Sequence, residues 1–232
     1  MTILIEASIY KQTLFSGSCG CRKSIFDIPN GFTLEDETEA DMETLLGIAI
    51  GIGLSAACGF RVFVPLLIMN LASLGGQLHL SSGFAWIGTY YATIAFGTAT
   101  IAEVLGYYIP WLDHVLDIVA TPAAVIAGTI ATASMVNDMS PFLKWTLALI
   151  AGGGIAGLVQ GTTVALRAKS SVSTAGAGNP LVSTVELVGS IITALLAILV
   201  PVLCLALIGF LCIFGVSKAG RFIFGRIRMT RR

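Results

Sequence analysis

The sequence predicts an all-α fold: a polytopic transmembrane bundle of about six spans, arranged as two inverted three-helix repeats. Three observations carry that expectation. The 232 residues are 56% hydrophobic and 11% charged, with a mean hydropathy of +0.90, whereas a soluble domain is about a quarter charged. Apolar runs of the about 20 residues needed to cross a hydrocarbon core recur along the chain. Two of those runs also repeat one another. Gly47, Gly51, Ser55 and Gly59 stand every fourth residue, as do Gly153, Gly157, Gly161 and Ala165, and Thr44-Leu45, Ile48-Ala49 and Val62 fall on Thr146-Leu147, Ile150-Ala151 and Val164.

The elements follow in order. Residues 1–43 read as a polar, acidic N-terminal extension, lacking the apolar run of about 7 to 15 residues that marks a secretory leader. Eight of the thirteen acids lie at or before Glu43. Cys19-Gly-Cys21 has no second pair to complete a four-ligand zinc site, so no metal or other cofactor is expected. Cys58, Cys204 and Cys212 sit in apolar runs as small hydrophobes. The acidic stretch from Glu35 to Glu43 is expected as a solvated linker, its last carboxylates near the positive end of the first helix.

Spans are then expected over residues 45–71, 84–109, 112–136, 142–166, 181–200 and 201–216. Joined, the last two would run about 50 Å at about 1.5 Å per residue, and Pro201 supplies the break. Charge placement agrees, because Lys and Arg collect on the cytoplasmic side. The basic juxtamembrane tail, residues 218–232, holds six of the thirteen bases. Six spans put Lys11, Arg22, Lys23, Arg167 and Lys169 on its side and leave only Lys144 opposite, which places the C-terminus in the cytoplasm. Three spans per half make repeat 1 (44–138) and repeat 2 (141–217) of the transmembrane domain (44–217) antiparallel. Each half turns at a proline corner, Ile109-Pro110-Trp111 and Val200-Pro201, and Thr100-Ile-Ala-Glu103-Val-Leu-Gly106 resembles Ser183-Thr-Val-Glu186-Leu-Val-Gly189 at a different offset.

Lipid gives helices no hydrophobic drive to associate, so small residues that let backbones approach do that work. Gly47, Gly51, Ser55, Gly59, Gly153, Gly157 and Gly161 therefore read first as packing ridges, with the first and fourth spans crossing at the pseudo-twofold axis, and second as a solute pathway. Gly59-Phe60-Arg61 and Pro65 mark a break in the first span. Broken helices expose backbone groups where ions bind.

Arg61, Glu103, Asp113, Asp117 and Glu186 fall within the hydrophobic zone. A charge at a helix centre costs about 2.5–3.5 kcal/mol on insertion scales, so each should face the bundle interior or water. Arg61, deep in an apolar run, calls for a carboxylate partner from Glu103 or Glu186, either as a structural ion pair or as part of a functional site. Glu186 has an interfacial alternative, because Ser183-Thr-Val-Glu186 fits a capping box with Ser183 as N-cap. Asp113 would cap the third span, with Asp117 one turn deeper on the same face. His114 beside Trp111 reads as an interfacial anchor ahead of a ligand role. Asn179, before Pro180, completes the secondary candidates.

Enzyme signals are missing: there is no phosphate-cradling glycine loop after a strand and no Ser-His-Asp arrangement. The tail's bases, juxtamembrane and interleaved with Phe222, Ile223, Phe224 and Ile227, suit anionic lipid headgroups rather than nucleic acid.

The stretches from Gly53 to Leu67, from Ile109 to Asp117, and from Gly178-Asn-Pro-Leu-Val-Ser183 through Glu186 resemble the signature segments of a bacterial membrane family, domain-of-unknown-function family 4126. The resemblance covers residues 44–216 and implies a multi-pass fold in a bacterial inner membrane, with no activity attached. Tyr107-Tyr108 stands where the family pattern has an Asp-Lys pair. The function expected is transport or channelling of a small solute or ion, with Arg61, Glu103, Asp117 and Glu186 at the repeat interface. Partners are the lipid bilayer, that unknown solute or ion, and, given the short chain, a second copy in a homodimer. The alternative is a non-catalytic membrane scaffold or assembly factor.

Overall fold

Proline and glycine punctuate this chain into helices. The computed structural model describes residues 34–137, 139–174 and 178–210. The chain divides into two compact units, Met1–Asp41 and Met42–Arg232. Of the first, only the helical residues from Leu34 are described, and the arrangement below is that of the second.

Helix α1 (Leu34–Cys58) starts earlier than predicted and takes in the acidic stretch expected as a linker. Glu, Ala, Met and Leu are strong helix formers, and acids near a helix start complement its dipole. α1 stops at Cys58, and α2 (Phe63–Leu74) begins after Gly59, Phe60, Arg61 and Val62. The predicted first span is thus two half-helices. A 3-10 segment, Ser82–Gly88, leads into α3 (Tyr90–Gly106), whose first turn is capped by Thr89 Oγ1 accepting from Ala92 N–H at 3.3 Å.

α4 (Pro110–Met135) starts on a proline, whose fixed φ suits a first helical position. α5 (Pro141–Thr174) comprises Pro141–Leu147, a π-helical segment Ala148–Gly153 and Gly154–Thr174, so it runs on past the Leu166 end predicted for it. α6 (Asn179–Leu199) has Pro180 in its first turn. Val200 leaves the helix with φ −140° and ψ 72°, and α7 (Pro201–Phe210) follows. The break at Pro201 lies where the sequence put it; residues 211–216 of the last span lie outside the described residues.

Val115–Met135, α5 and α6 are long and apolar enough to cross a membrane, while Met42–Cys58, α2 and α7 are apolar but shorter. Ile118 and Val119 on α4, Ile150 and Leu166 on α5, and Leu181 and Val185 on α6 are each more than half exposed. A soluble monomer rarely presents apolar surface on that scale. Such faces belong in lipid, and the chain is a membrane protein. Its interior is built largely of small residues, among them Ala57, Ala124, Ala131, Ala156, Ala194 and Ala197, which allow close helix approach.

The two small-residue ridges lie mainly against α4. A Cβ at Gly51 would stand 2.9 Å from Thr132 Cα, and one at Gly153 would stand 2.7 Å from Thr129 Oγ1. Ser55 Oγ joins the same seam, 2.5 Å from Gly128 O and 2.8 Å from Thr132 Oγ1. At Gly59 the first stretch meets α5 instead, where an added Cβ would lie 2.6 Å from Ala156 O.

Gly161 has nothing within 4 Å of an added Cβ. Gly51→Ala should accordingly cost about 1–3 kcal/mol through overpacking, while Gly161→Ala should cost nothing. Thermal unfolding of the two purified variants in one detergent checks this; equal melting temperatures would mean the α1–α4 seam yields freely.

Candidate functional site

The break in the first span sets the site. At its upstream end the chain tightens into shorter-range bonds, with Gly59 N–H donating to Ala56 O at 3.1 Å and Phe60 N–H to Ala57 O at 3.1 Å. Ser190 Oγ on α6 also donates to Ala57 O, at 3.1 Å. Downstream, α2 must start without help from its own sequence, because Val62 at the N-cap makes no side-chain cap bond. Pro65 removes one of the orphan donors of this first turn.

Glu103 of α3 meets the others. Val62 N–H donates to its Oε1 at 2.8 Å and Phe63 N–H to its Oε2 at 3.1 Å. A carboxylate borrowed from a neighbouring helix thus caps the positive end of a half-helix. It also fixes where the break sits relative to α3.

Arg61, in the break itself, is 1% exposed. Its Nη2 donates to Ser183 O at 3.0 Å and to Ser183 Oγ, and its guanidinium carbon lies 4.0 Å from the centroid of the Tyr107 ring. Among the described residues, Nε and Nη1 have no hydrogen-bond partner.

The ring of Tyr107 receives a second guanidinium, with Arg167 of α5 at 3.9 Å from the same centroid. Arg167 is 3% exposed. It donates through Nε to Glu186 Oε1 at 3.0 Å, through Nη2 to Glu186 Oε2, and through Nη1 to Asp117 Oδ1 at 3.1 Å. This fork to Glu186 is the strong form of an arginine–carboxylate pair. Ser183 and Glu186, three residues apart on α6, share one helix face. One helix face therefore serves both arginines.

Of the predicted residues, Arg61, Glu103, Asp117 and Glu186 all enter this cluster. Their pairing differs from expectation. Arg61 takes a serine and an aromatic ring in place of a carboxylate, because Glu103 is committed to the α2 start and Glu186 to Arg167. The capping-box reading of Ser183 and Glu186 is also corrected. Pro180 starts α6 at Asn179, so both residues lie inside the helix and point into the bundle, Glu186 only 4% exposed. Asn179 is buried and donates its amide to Ser171 Oγ at 2.9 Å, tying the start of α6 to α5 one turn beyond Arg167. Asp113 and His114 lie on α4, and their side chains lie outside the described residues.

Sequence reasoning missed Arg167 and Tyr107. A signal for Arg167 existed: Gln160, Thr163 and Arg167 are all buried and recur at helical spacing. A polar stripe in a membrane helix marks the side facing the bundle.

The family described as Domain of unknown function (DUF4126) matches residues 48–220 of the chain, a span that contains every residue of the cluster. No curated protein and no solved structure matches the chain.

Proposed function

Because the chain belongs to that family of unknown function, we propose from its own residues that it is a transporter or channel for a small solute or ion, not an enzyme. One observation carries the reading: a membrane helix is broken in the bundle interior, and the break is lined by Arg61, Glu103 and Ser183 with Arg167, Glu186 and Asp117 behind. Broken helices and buried ionisable groups together are the hallmark of solute pathways at membrane depth.

The inverted-repeat reading belongs with it. The first half supplies Arg61 and Glu103, the second supplies Arg167 and Glu186, and the two halves meet at Tyr107. Counting α1 with α2 as one broken span, and adding α3 to α7, gives six crossings with the C-terminus in the cytoplasm of a bacterial inner membrane. A homodimer would complete the pathway of so short a chain.

The test is flux of protons and common inorganic ions in proteoliposomes holding wild type or Glu103→Gln at two pH values. Transport predicts a pH-sensitive flux that falls at least about a hundredfold in the variant, the lower end of what a positioned acid–base group contributes. The scaffold reading keeps one observation of its own, the fully paired Arg167 fork, which suits a helix lock. No flux from folded wild type, with a stoichiometric partner lost on deleting residues 1–41, would favour it.

A further inference from the structure

We propose that Arg61 binds a small oxyanion, which enters the cluster together with one proton carried by Glu103. The inference rests on the cluster being a solute site.

A guanidinium has five N–H donors. In Arg61 the two on Nη2 are met by Ser183 O and Ser183 Oγ, while the three on Nε and Nη1 meet no acceptor. Its 1% exposure also denies them bulk water. Buried charged groups are normally fully hydrogen-bonded, and an exception calls for a reason. Stacking on Tyr107 engages the flat face of the guanidinium and leaves its edge donors unmet.

The neighbouring carboxylates are already committed. Both oxygens of Glu103 accept from the backbone of Val62 and Phe63, both oxygens of Glu186 accept from Arg167, and Asp117 Oδ1 accepts from Arg167 as well. The missing acceptor therefore comes from outside the described chain. Planar N–H donors of a guanidinium match the lone pairs of an oxyanion better than a spherical halide. Carboxylates such as formate, or nitrate, have that chemistry and are small.

Charge decides the proton. Fully ionised, Arg61 and Arg167 against Glu103, Asp117 and Glu186 leave one negative charge in excess among the described residues. An incoming anion raises that excess in a medium of low dielectric, where like charges repel strongly. One proton taken up with it returns the cluster to its resting charge. Asp117 and Glu186 are in direct contact with Arg167, whose charge lies against theirs. Glu103 has no guanidinium on its oxygens. The groups that face it are Cys58 from α1, Arg61 from the break, Tyr107 from the end of α3 and Arg167 from α5. The proton accordingly goes to a Glu103 oxygen.

Equilibrium binding of radiolabelled formate to the full chain, purified in detergent, tests this without any need for flux. The expected result is saturable binding, one formate per chain, tightening by about tenfold per pH unit as the medium is acidified through the Glu103 titration. Nitrate should compete and chloride should compete far less. Arg61→Lys, which keeps the charge and loses the fork, should weaken binding about tenfold or more. Glu103→Gln should bind with a flat pH profile.

Should Arg61→Lys fail to fold, Ser183→Ala retains the guanidinium, removes one group that aims it, and should weaken binding several-fold. The proposal is overturned by no saturable binding to folded wild type at either pH. Binding that ignores Arg61→Lys or Ser183→Ala, binding that ignores pH, or chloride competing as well as nitrate would each overturn it too. Binding without flux would sustain this site and sink the transport reading; flux of another solute without oxyanion binding would do the reverse.

Discussion

Arg167→Gln should cost about 3–5 kcal/mol of stability, the usual penalty for removing one partner of a buried ion pair. Arg167 holds Glu186 and Asp117 at once, from two different helices, and all three side chains are largely shielded. A glutamine amide offers two donors where the guanidinium offered five, and none of the charge. Glu186 would then lose the fork to both its oxygens inside the bundle, and Asp117 the bond to its Oδ1. Arg167→Gln combined with Glu186→Gln should recover much of the loss, since the double variant removes the charge of Glu186 together with that of its guanidinium partner. Arg61→Gln should cost far less, because the wild-type Arg61 already carries unmet donors. Denaturation of the purified variants in mixed detergent, read by tryptophan fluorescence, ranks them. If Arg167→Gln fell within about 1 kcal/mol of wild type, its ion pairs would count as surface-like.

The helices themselves were legible where punctuation is local. Pro110, Pro141 and Pro180 mark starts, Pro201 marks a break, and Gly59 with Pro65 marks the interruption of the first span. Hydropathy failed at the inner ends of helices. Scanning for apolar residues ended the fourth span at Leu166, one residue before Arg167, because a run's apolar signal fades where its bundle-facing stripe becomes polar. α5 continues to Thr174 regardless. Membership of the site was readable from charge alone, since a buried ionisable group in lipid needs a reason to be there. The partners were not readable, because each depends on which helix faces are opposed, and that is settled by packing. Arg61 and Arg167 sit at different depths of their own runs, yet both arrive at Tyr107. Tyr107 looked like a departure from a family pattern, whereas its ring is the common surface for two cations, a contact worth about 0.5–2 kcal/mol each.

Glu103→Ala should free the start of α2 without unfolding the bundle. The carboxylate is the acceptor given to Val62 N–H and Phe63 N–H, and a buried donor left unmet costs about 1–3 kcal/mol. Losing two such acceptors predicts a cost of about 2–5 kcal/mol, concentrated at the break, since α2 remains anchored by Leu66 and Met69 in the core. Glu103→Gln retains one carbonyl oxygen for one of the two donors and should cost about half as much. Hydrogen exchange resolved to Val62, Phe63 and Val64 separates this from general loosening. Exchange there should quicken in the order wild type, Gln, Ala, while Ala124 and Ala131 in α4 stay protected. Uniform quickening along the chain would make Glu103 an ordinary core contact. No quickening would mean that Pro65 and its packing hold the half-helix alone, and then the carboxylate is not a structural cap and its burial in lipid would have only a functional explanation.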